Sequence, residues 1–184
     1  CDDLVREVDI LLSIVPPSEA LKLAESVADR LRATNASLAY VDFNAVSPQT
    51  AQRIGSIIAG AGARFIDGGI IGSPPSPRGR TRFYCSGQDA DAVMELGKFG
   101  LNVRCLGDRI GQASGLKMVY AASTKGTTAL WTELLVAARL MGLSEALELE
   151  LAESPLYSAM KDGIPTMPRR SRRWVGEMEE IAAT

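Results

Sequence analysis

The chain contains no histidine. That removes the commonest general base and the commonest metal ligand, and with them every Ser-His or Cys-His arrangement. Any acid–base chemistry falls to lysine, tyrosine or a carboxylate, and no metal site is expected. Cysteine is scarce too. Cys1, Cys85 and Cys105 form an odd set without metal-ligand spacing, as expected of reduced thiols in a cytoplasmic compartment. No window of about eighteen uninterrupted apolar residues occurs, so no membrane-crossing helix is expected. No basic-then-apolar leader is visible either. The formal net charge is −2 and aromatics are 5% of residues, which points to neither nucleic acid nor an anionic membrane surface. Arg169-Arg170-Ser171-Arg172-Arg173 is the densest basic run. It has no aromatic ladder beside it and reads as a solvated helix face in which Arg173 pairs with Glu177, ahead of Glu179 and Glu180. Also missing is a G-x-G-x-x-G turn between a strand and a helix, the usual cradle for a pyrophosphate.

What is present suits a water-exposed globular protein. The 184 residues are 46% hydrophobic and 23% charged, enough for one ordinary domain or two small ones. Asp9–Val15 is a short apolar run closed by Pro16-Pro17, as in a strand buried on both faces of a parallel sheet. Ser18 is read as the cap of a helix, and Ser37–Phe43 as the next strand. Ser47 caps a second helix with Pro48 at its first position, and Gly60-Ala61-Gly62 ends it. Ala63–Asp67 reads as a third strand and 68–82 as a glycine-, proline- and arginine-rich loop. A strand at Phe83-Tyr84-Cys85, a helix over 88–97 and a strand over 102–106 complete the alternation. This βαβ spacing predicts a mostly parallel sheet. From Ala113 to Met141 the pattern is a single long helix, and everything beyond is helix and loop. The division predicted is a sheet domain over 1–107 and an all-helical domain over 108–184.

Ligands of open α/β sheets sit outside the carboxyl ends of the strands. Three stretches end there: Val15-Pro16-Pro17, Asp42–Ser47, and Asp67–Ser73. Asn44 lies between a strand end and a helix cap, where its amide can face the cleft. Gly72 and Ser73 offer backbone N–H groups to an anion. Arg78, Arg80 and Arg82 follow, and are either a solvated edge or a clamp for a carboxylate or phosphate. Gly111-Gln112-Ala113-Ser114-Gly115-Leu116-Lys117 is a glycine-punctuated turn that delivers one lysine onto a helix of small and apolar neighbours.

These segments, in this order, resemble the β-hydroxyacid dehydrogenase family, which includes 3-hydroxyisobutyrate and 6-phosphogluconate dehydrogenases. Val15-Pro16-Pro17 matches the proline turn that borders the nicotinamide. Asp42 to Pro48 matches a D-x-S-T-x-x-P-like segment, with Asn44 at the usual serine. The substrate-binding serine-glycine-glycine falls on Ile71-Gly72-Ser73, so its serine is replaced by isoleucine. The glycine-rich turn before the catalytic lysine falls on Gly111 to Lys117, and Tyr120 and Ala121 stand where asparagine is common. Leu116–Ala122 and Arg173–Met178 resemble a less characterised branch whose C-terminal domain was long of unknown function.

The resemblance implies the C-terminal part of a Rossmann-like α/β sheet followed by an all-helical domain. It implies NAD or NADP as cofactor, a small hydroxyacid as substrate, and a homodimer built on the helical domains. Lys117 becomes the acid/base catalyst, Val15, Pro16 and Asn44 the cofactor side, and Gly72, Ser73 and Tyr120 the substrate side. Burial beside Ala113, Ala121 and Tyr120 is expected to favour the neutral amine, towards about 7 to 8. An imine-reducing relative or a non-catalytic interaction module on the same fold are the alternatives. The chain reads as the middle and part of the C-terminal region of a longer protein. Its open strand edge predicts instability in isolation.

Overall fold

The structure is a computed structural model that describes residues 2–73 and 80–184, apart from the side chains of Asp2, Arg170 and Arg173. Cys1 and Arg78 therefore lie outside the described residues, as does the side chain of the predicted Arg173–Glu177 pair. The elements in chain order are α1 (Asp2–Glu7), β1 (Ile10–Ser13), α2 (Pro17–Thr34), β2 (Ala39–Asp42), α3 (Pro48–Ala59) and β3 (Arg64–Ile71). They continue as β4 (Arg82–Ser86), α4 (Asp91–Met94), β5 (Asn102–Cys105), α5 (Gln112–Ala121), α6 (Thr127–Leu140), α7 (Ser144–Leu151), α8 (Pro155–Met160) and α9 (Met167–Ala182). Contacts divide them into two compact units, Cys1–Val119 with Gly176–Thr184, and Tyr120–Val175.

The first unit is built on a five-stranded sheet of order β1-β2-β3-β4-β5. All neighbours are parallel except β3 and β4. The sheet is thus α/β and mostly parallel, as its spacing predicts. On one face α2 lays down Ala20, Ala24, Val27, Ala28 and Leu31, an apolar stripe at helical spacing, beside Ala51, Ile54 and Ile58 of α3. Tyr40 and Phe65 form the floor beneath them, stacked with centroids 6.3 Å apart. The other face buries Val41, Phe43, Ile66, Phe83 and Cys85 under Ala90 and Val93. Cys85 and Cys105 are both free thiols.

Four sequence expectations need correction. Ser18 does not cap α2, which starts at Pro17 with Pro16 as its cap residue and no side-chain bond. The segment 68–71 is strand rather than loop, because β3 runs on to Ile71 and pairs antiparallel with β4. Gly68 and Gly69 look like turn signals, yet they are there for space. A Cβ on Gly68 would lie 2.5 Å from Phe43 Cδ1 and 2.7 Å from the Asp42 carbonyl oxygen. The helix expected over 88–97 is one α turn, Asp91–Met94, followed by a 3-10 segment, Glu95–Phe99.

The long helix is also interrupted. Between α5 and α6 lies a π segment, Ala122–Gly126. Hydroxyls bond back to helix carbonyls throughout this region, Thr124 to Ala121, Thr127 to Ser123 and Thr128 to Thr124. Such back-bonding competes with the regular ladder, and Gly126 adds freedom. In the second unit, Trp131 packs on Tyr157 with centroids 5.4 Å apart, and the Lys125 ammonium sits 5.7 Å from the Trp174 ring centroid. Among the described residues no helix is long and apolar enough to cross a membrane.

Gly68→Ala is expected to destabilise the protein by about 1–3 kcal/mol, since the added methyl meets backbone as well as a packed ring. Urea unfolding of the two proteins measures it. An unchanged midpoint would show that Phe43 can yield.

Candidate active site

Strand register places a row of buried polar residues across four strands. Ser13 pairs with Asp42, Asp42 with Asp67, and Asp67 with Ser86. Paired residues share a face, so the row lies at one level of one surface of the sheet. All four are 2% exposed or less. Buried polar groups cost free energy unless they are hydrogen-bonded. Each residue of the row has a hydrogen-bond partner, though Asp42 Oδ2 and Asp67 Oδ1 have none.

Asp67 is its centre. Its Oδ2 accepts from the Ser86 hydroxyl at 2.8 Å and from the backbone N–H groups of Gly111 at 2.9 Å, Ala113 at 2.9 Å and Ser114 at 3.2 Å. Those N–H groups are the unsatisfied donors at the start of α5, where a carboxylate also meets the positive end of the helix dipole. Burial pushes the Asp67 carboxyl up from its ordinary value, while Ser86, Ser114 and Gly111 pull it down. The turn fits closely against α3. A Cβ on Gly111, whose φ is +103°, would lie 3.1 Å from Pro48 Cβ, and one on Gly115 would lie 3.4 Å from Pro48 Cγ.

One row along β3, Gly69 makes room for the same helix. A Cβ there would lie 2.8 Å from the Ala113 carbonyl oxygen and 3.0 Å from Lys117 Cβ. Lys117 is thus half-buried directly over the carboxyl half of β3. The strand ends on either side are tied by Asn44. Its Oδ1 accepts from the Val15 N–H at 2.6 Å and its Nδ2 donates to Ser13 Oγ at 2.8 Å. Asn44 is 2% exposed, so it is a clasp between the ends of β1 and β2, with Val15 half-buried and Pro16 exposed beside it. Gly72, φ +128°, leaves β3 in a conformation few other residues adopt. The Thr81 hydroxyl donates to the Ser73 carbonyl oxygen. Lys117, Val15, Pro16, Asn44, Gly72 and Ser73 all belong to the first unit, whereas Tyr120 begins the second and is 44% exposed.

Sequence reasoning missed two members. Asp67 carries no motif of its own kind, and its partners lie 19 to 47 residues away. Glu180, expected on a solvated face, instead caps α3. Its Oε2 accepts from the Ser47 N–H at 2.6 Å and from Thr50 Oγ1 at 2.9 Å, beside Ser47 Oγ, which itself accepts from the Thr50 N–H. No local signal announces either contact.

One solved relative, a conserved protein of unknown function described as structurally similar to 3-hydroxyacid dehydrogenases, is 32% identical with a TM-score of 0.68. The match covers 98% of this chain and 68% of that one. The chain belongs to the 3-hydroxyacid dehydrogenase-like family. Within it, residues 138–184 match DUF1932, a domain of unknown function. A conserved hypothetical protein from Sinorhizobium meliloti 1021 matches over 100% of this chain and 62% of its own, at 28% identity and a TM-score of 0.71. An uncharacterized 28.5 kDa protein from Methanothermus fervidus is 34% identical over 151 residues, which are 82% of this chain and 56% of that protein. This dehydrogenase-like chain thus spans little more than half the length of that curated relative. More distant likenesses show the fold alone. An imine reductase from Myxococcus stipitatus in complex with NADP+ is 21% identical, with a TM-score of 0.60, over 94% of this chain and 60% of its own. The 3-hydroxyisobutyrate dehydrogenase of Mycobacterium tuberculosis with L-serine is 16% identical, with a TM-score of 0.57, over 84% of this chain and 54% of its own.

Two outcomes follow from the polar row. Asp67→Asn weakens a charged acceptor shared by four donors and is expected to cost about 2 kcal/mol in urea unfolding. A loss too small to measure would show that the start of α5 is held by packing alone. Asp42 supplies a pH dependence. Burial pushes its carboxyl up from 3.8 to about 7, with the charges of Asp67 and Glu180 adding to the rise and the Asn44 N–H opposing it. The folded protein then holds this proton to higher pH than the unfolded chain does. Its stabilising contribution is complete below pH 3.8 and is lost as pH rises through about 7. Asp42→Asn keeps an acceptor for the Asn44 N–H and is expected to flatten that part of the profile. Parallel slopes for the two proteins between about pH 4 and 7 would refute the assignment.

Proposed function

We propose that the protein is an NAD(P)-dependent oxidoreductase that interconverts a small β-hydroxyacid and its oxo form, with Lys117 as general acid and base. The observation that carries this reading is the seating of Lys117. A carboxylate pins the start of its helix, and a glycine lets its Cβ approach the sheet beside the carboxyl ends of parallel strands. That edge is where open α/β sheets bind their ligands.

The residues present fit one half of the cofactor. Asn44 ties Val15 and Ser13 together between the ends of β1 and β2, with Pro16 and the apolar, 59% exposed Ile14 beside this junction. A flat nicotinamide ring suits such a junction. The pyrophosphate does not find its cradle among the described residues. The two crossovers into α2 and α3 carry Pro16-Pro17 and Asn44–Pro48, with no glycine in either. The nicotinamide, when bound, supplies the hydride acceptor. As the carbinol carbon loses its hydride, the hydroxyl proton passes to the neutral amine of Lys117 and the C=O bond forms. In reverse, the ammonium returns that proton to the carbonyl oxygen. Gly72 and Ser73 offer backbone to the substrate at the end of β3.

A cytoplasmic homodimer is part of the same reading. In the helical unit Leu130, Leu134 and Leu140 are 56%, 46% and 83% exposed, an apolar face that a second copy would cover. Retention of Lys117 favours alcohol chemistry over imine reduction.

The full-length protein is expected to reduce NAD or NADP with a small β-hydroxyacid. Lys117→Met is expected to lower turnover about a thousandfold or more while leaving nicotinamide binding intact. Absorbance at the reduced-nicotinamide band and dinucleotide titration measure the two. Full activity in the variant would sink the assignment of Lys117. Turnover of a cyclic imine alone would favour the imine-reducing alternative.

A further inference from the structure

Alternation along β3 puts Asp67, Gly69 and Ile71 on one face of the sheet, and their partners on β4 are Ser86, Tyr84 and Arg82. Arg82 therefore stands on the face over which Lys117 is seated, one strand across from Ile71 and one row beyond Tyr84. Its Nε is buried and has no hydrogen-bond partner, and among the described residues Arg82 makes no ion pair. Asp67, the carboxylate on this part of β3, is two rows away and is already bonded by four donors. A half-buried guanidinium with an idle N–H is the arrangement that a carboxylate satisfies, in a planar two-point geometry that lysine lacks. Arg104 adds positive charge on the same face, 5.9 Å from the centroid of the Tyr84 ring.

The spacing suits a small acid. Rows on one strand face are about 7 Å apart and neighbouring strands about 4.8 Å, so Gly69, beneath Lys117, and Arg82 are diagonal neighbours. Thr81, the residue before Arg82, is tied to the end of β3 by the bond from its hydroxyl to the Ser73 carbonyl oxygen. We propose that Arg82 is the anchor for the substrate carboxylate, and that it selects hydroxyacids over uncharged alcohols while Lys117 acts on the hydroxyl. The inference rests on the reading of Lys117 given above, but it concerns binding rather than turnover.

The test uses the full-length protein with NAD or NADP present and compares 3-hydroxypropanoate with its uncharged amide by calorimetric titration. The wild type is expected to bind the acid about tenfold or more tightly than the amide. Arg82→Gln is expected to bring that ratio to about one. Arg82→Lys, which keeps the charge without the fork, is expected to retain part of it. Lys117→Met is expected to keep the preference while losing turnover. A wild type without preference, or an Arg82→Gln protein that keeps it, overturns the anchor. If Arg82→Gln does not fold by circular dichroism, an undiminished preference in Arg82→Lys overturns it instead. Preference without any nicotinamide reduction leaves the anchor standing and removes the dehydrogenase reading. Turnover with a preference indifferent to Arg82 does the reverse.

Discussion

A single carboxylate oxygen organises this molecule. Asp67 Oδ2 gathers a hydroxyl from β4 and three N–H groups from the turn that begins α5. Four donors on one buried acceptor compensate for the desolvation of a charge that would otherwise be costly to hide. The same bonds supply what the helix start requires, since its first N–H groups have no partners within the helix. Without Asp67 the turn could slide along the sheet, because apolar packing is non-directional and sets no register. With it, Lys117 is fixed relative to β3.

Space completes what the hydrogen bonds begin. Two glycines sit side by side in β3, and each faces a different neighbour. Gly68 admits the Phe43 ring on one face, while Gly69 admits Ala113 and Lys117 on the other. A strand loses stability by carrying glycine, having no side chain to pack and more freedom to lose. Here that loss is local and the close approach it permits is what joins strand to helix. The glycines of the turn, Gly111 and Gly115, do the same against Pro48. The sheet, α3 and α5 thereby meet at backbone distance, which leaves little room for the helix to rock.

Much of the fold was legible in the sequence. Short apolar runs alternating with helical stripes identify a mostly parallel sheet, and Ser47-Pro48 announces a helix start that the structure confirms through the bond from the Thr50 N–H to Ser47 Oγ. The glycines of β3 were misread because glycine signals both a turn and a close approach, and only the neighbour across the strand distinguishes them. Asn44 was legible as a polar residue at a strand end, but not as the clasp of Val15 and Ser13. Glu180 reaches Ser47 across 133 residues of chain. No periodicity or capping rule looks that far, for such rules describe what neighbours in sequence do to one another. Register has the same character. That Ser13, Asp42, Asp67 and Ser86 form one row follows from strand pairing, and pairing follows from the whole set of helices that cover the sheet.

The row also settles how protons are shared within it. Asp42 and Asp67 occupy the same level of adjacent parallel strands, about 5 Å apart, so two ionised carboxylates would repel one another where water cannot screen them. One must hold its proton more tightly. Asp67 has four donors on one oxygen and a helix terminus in front of it, all of which favour the anion. Asp42 accepts only from Asn44, and its Oδ2, like Asp67 Oδ1, is buried without a partner. Of the two, Asp42 is the one whose proton is held by the other's charge, its carboxyl raised to about 7 by burial first and by its acidic neighbours second. Below about pH 7, where Asp42 keeps its proton, the carboxylate that holds the start of α5 has no charged partner beside it in the row.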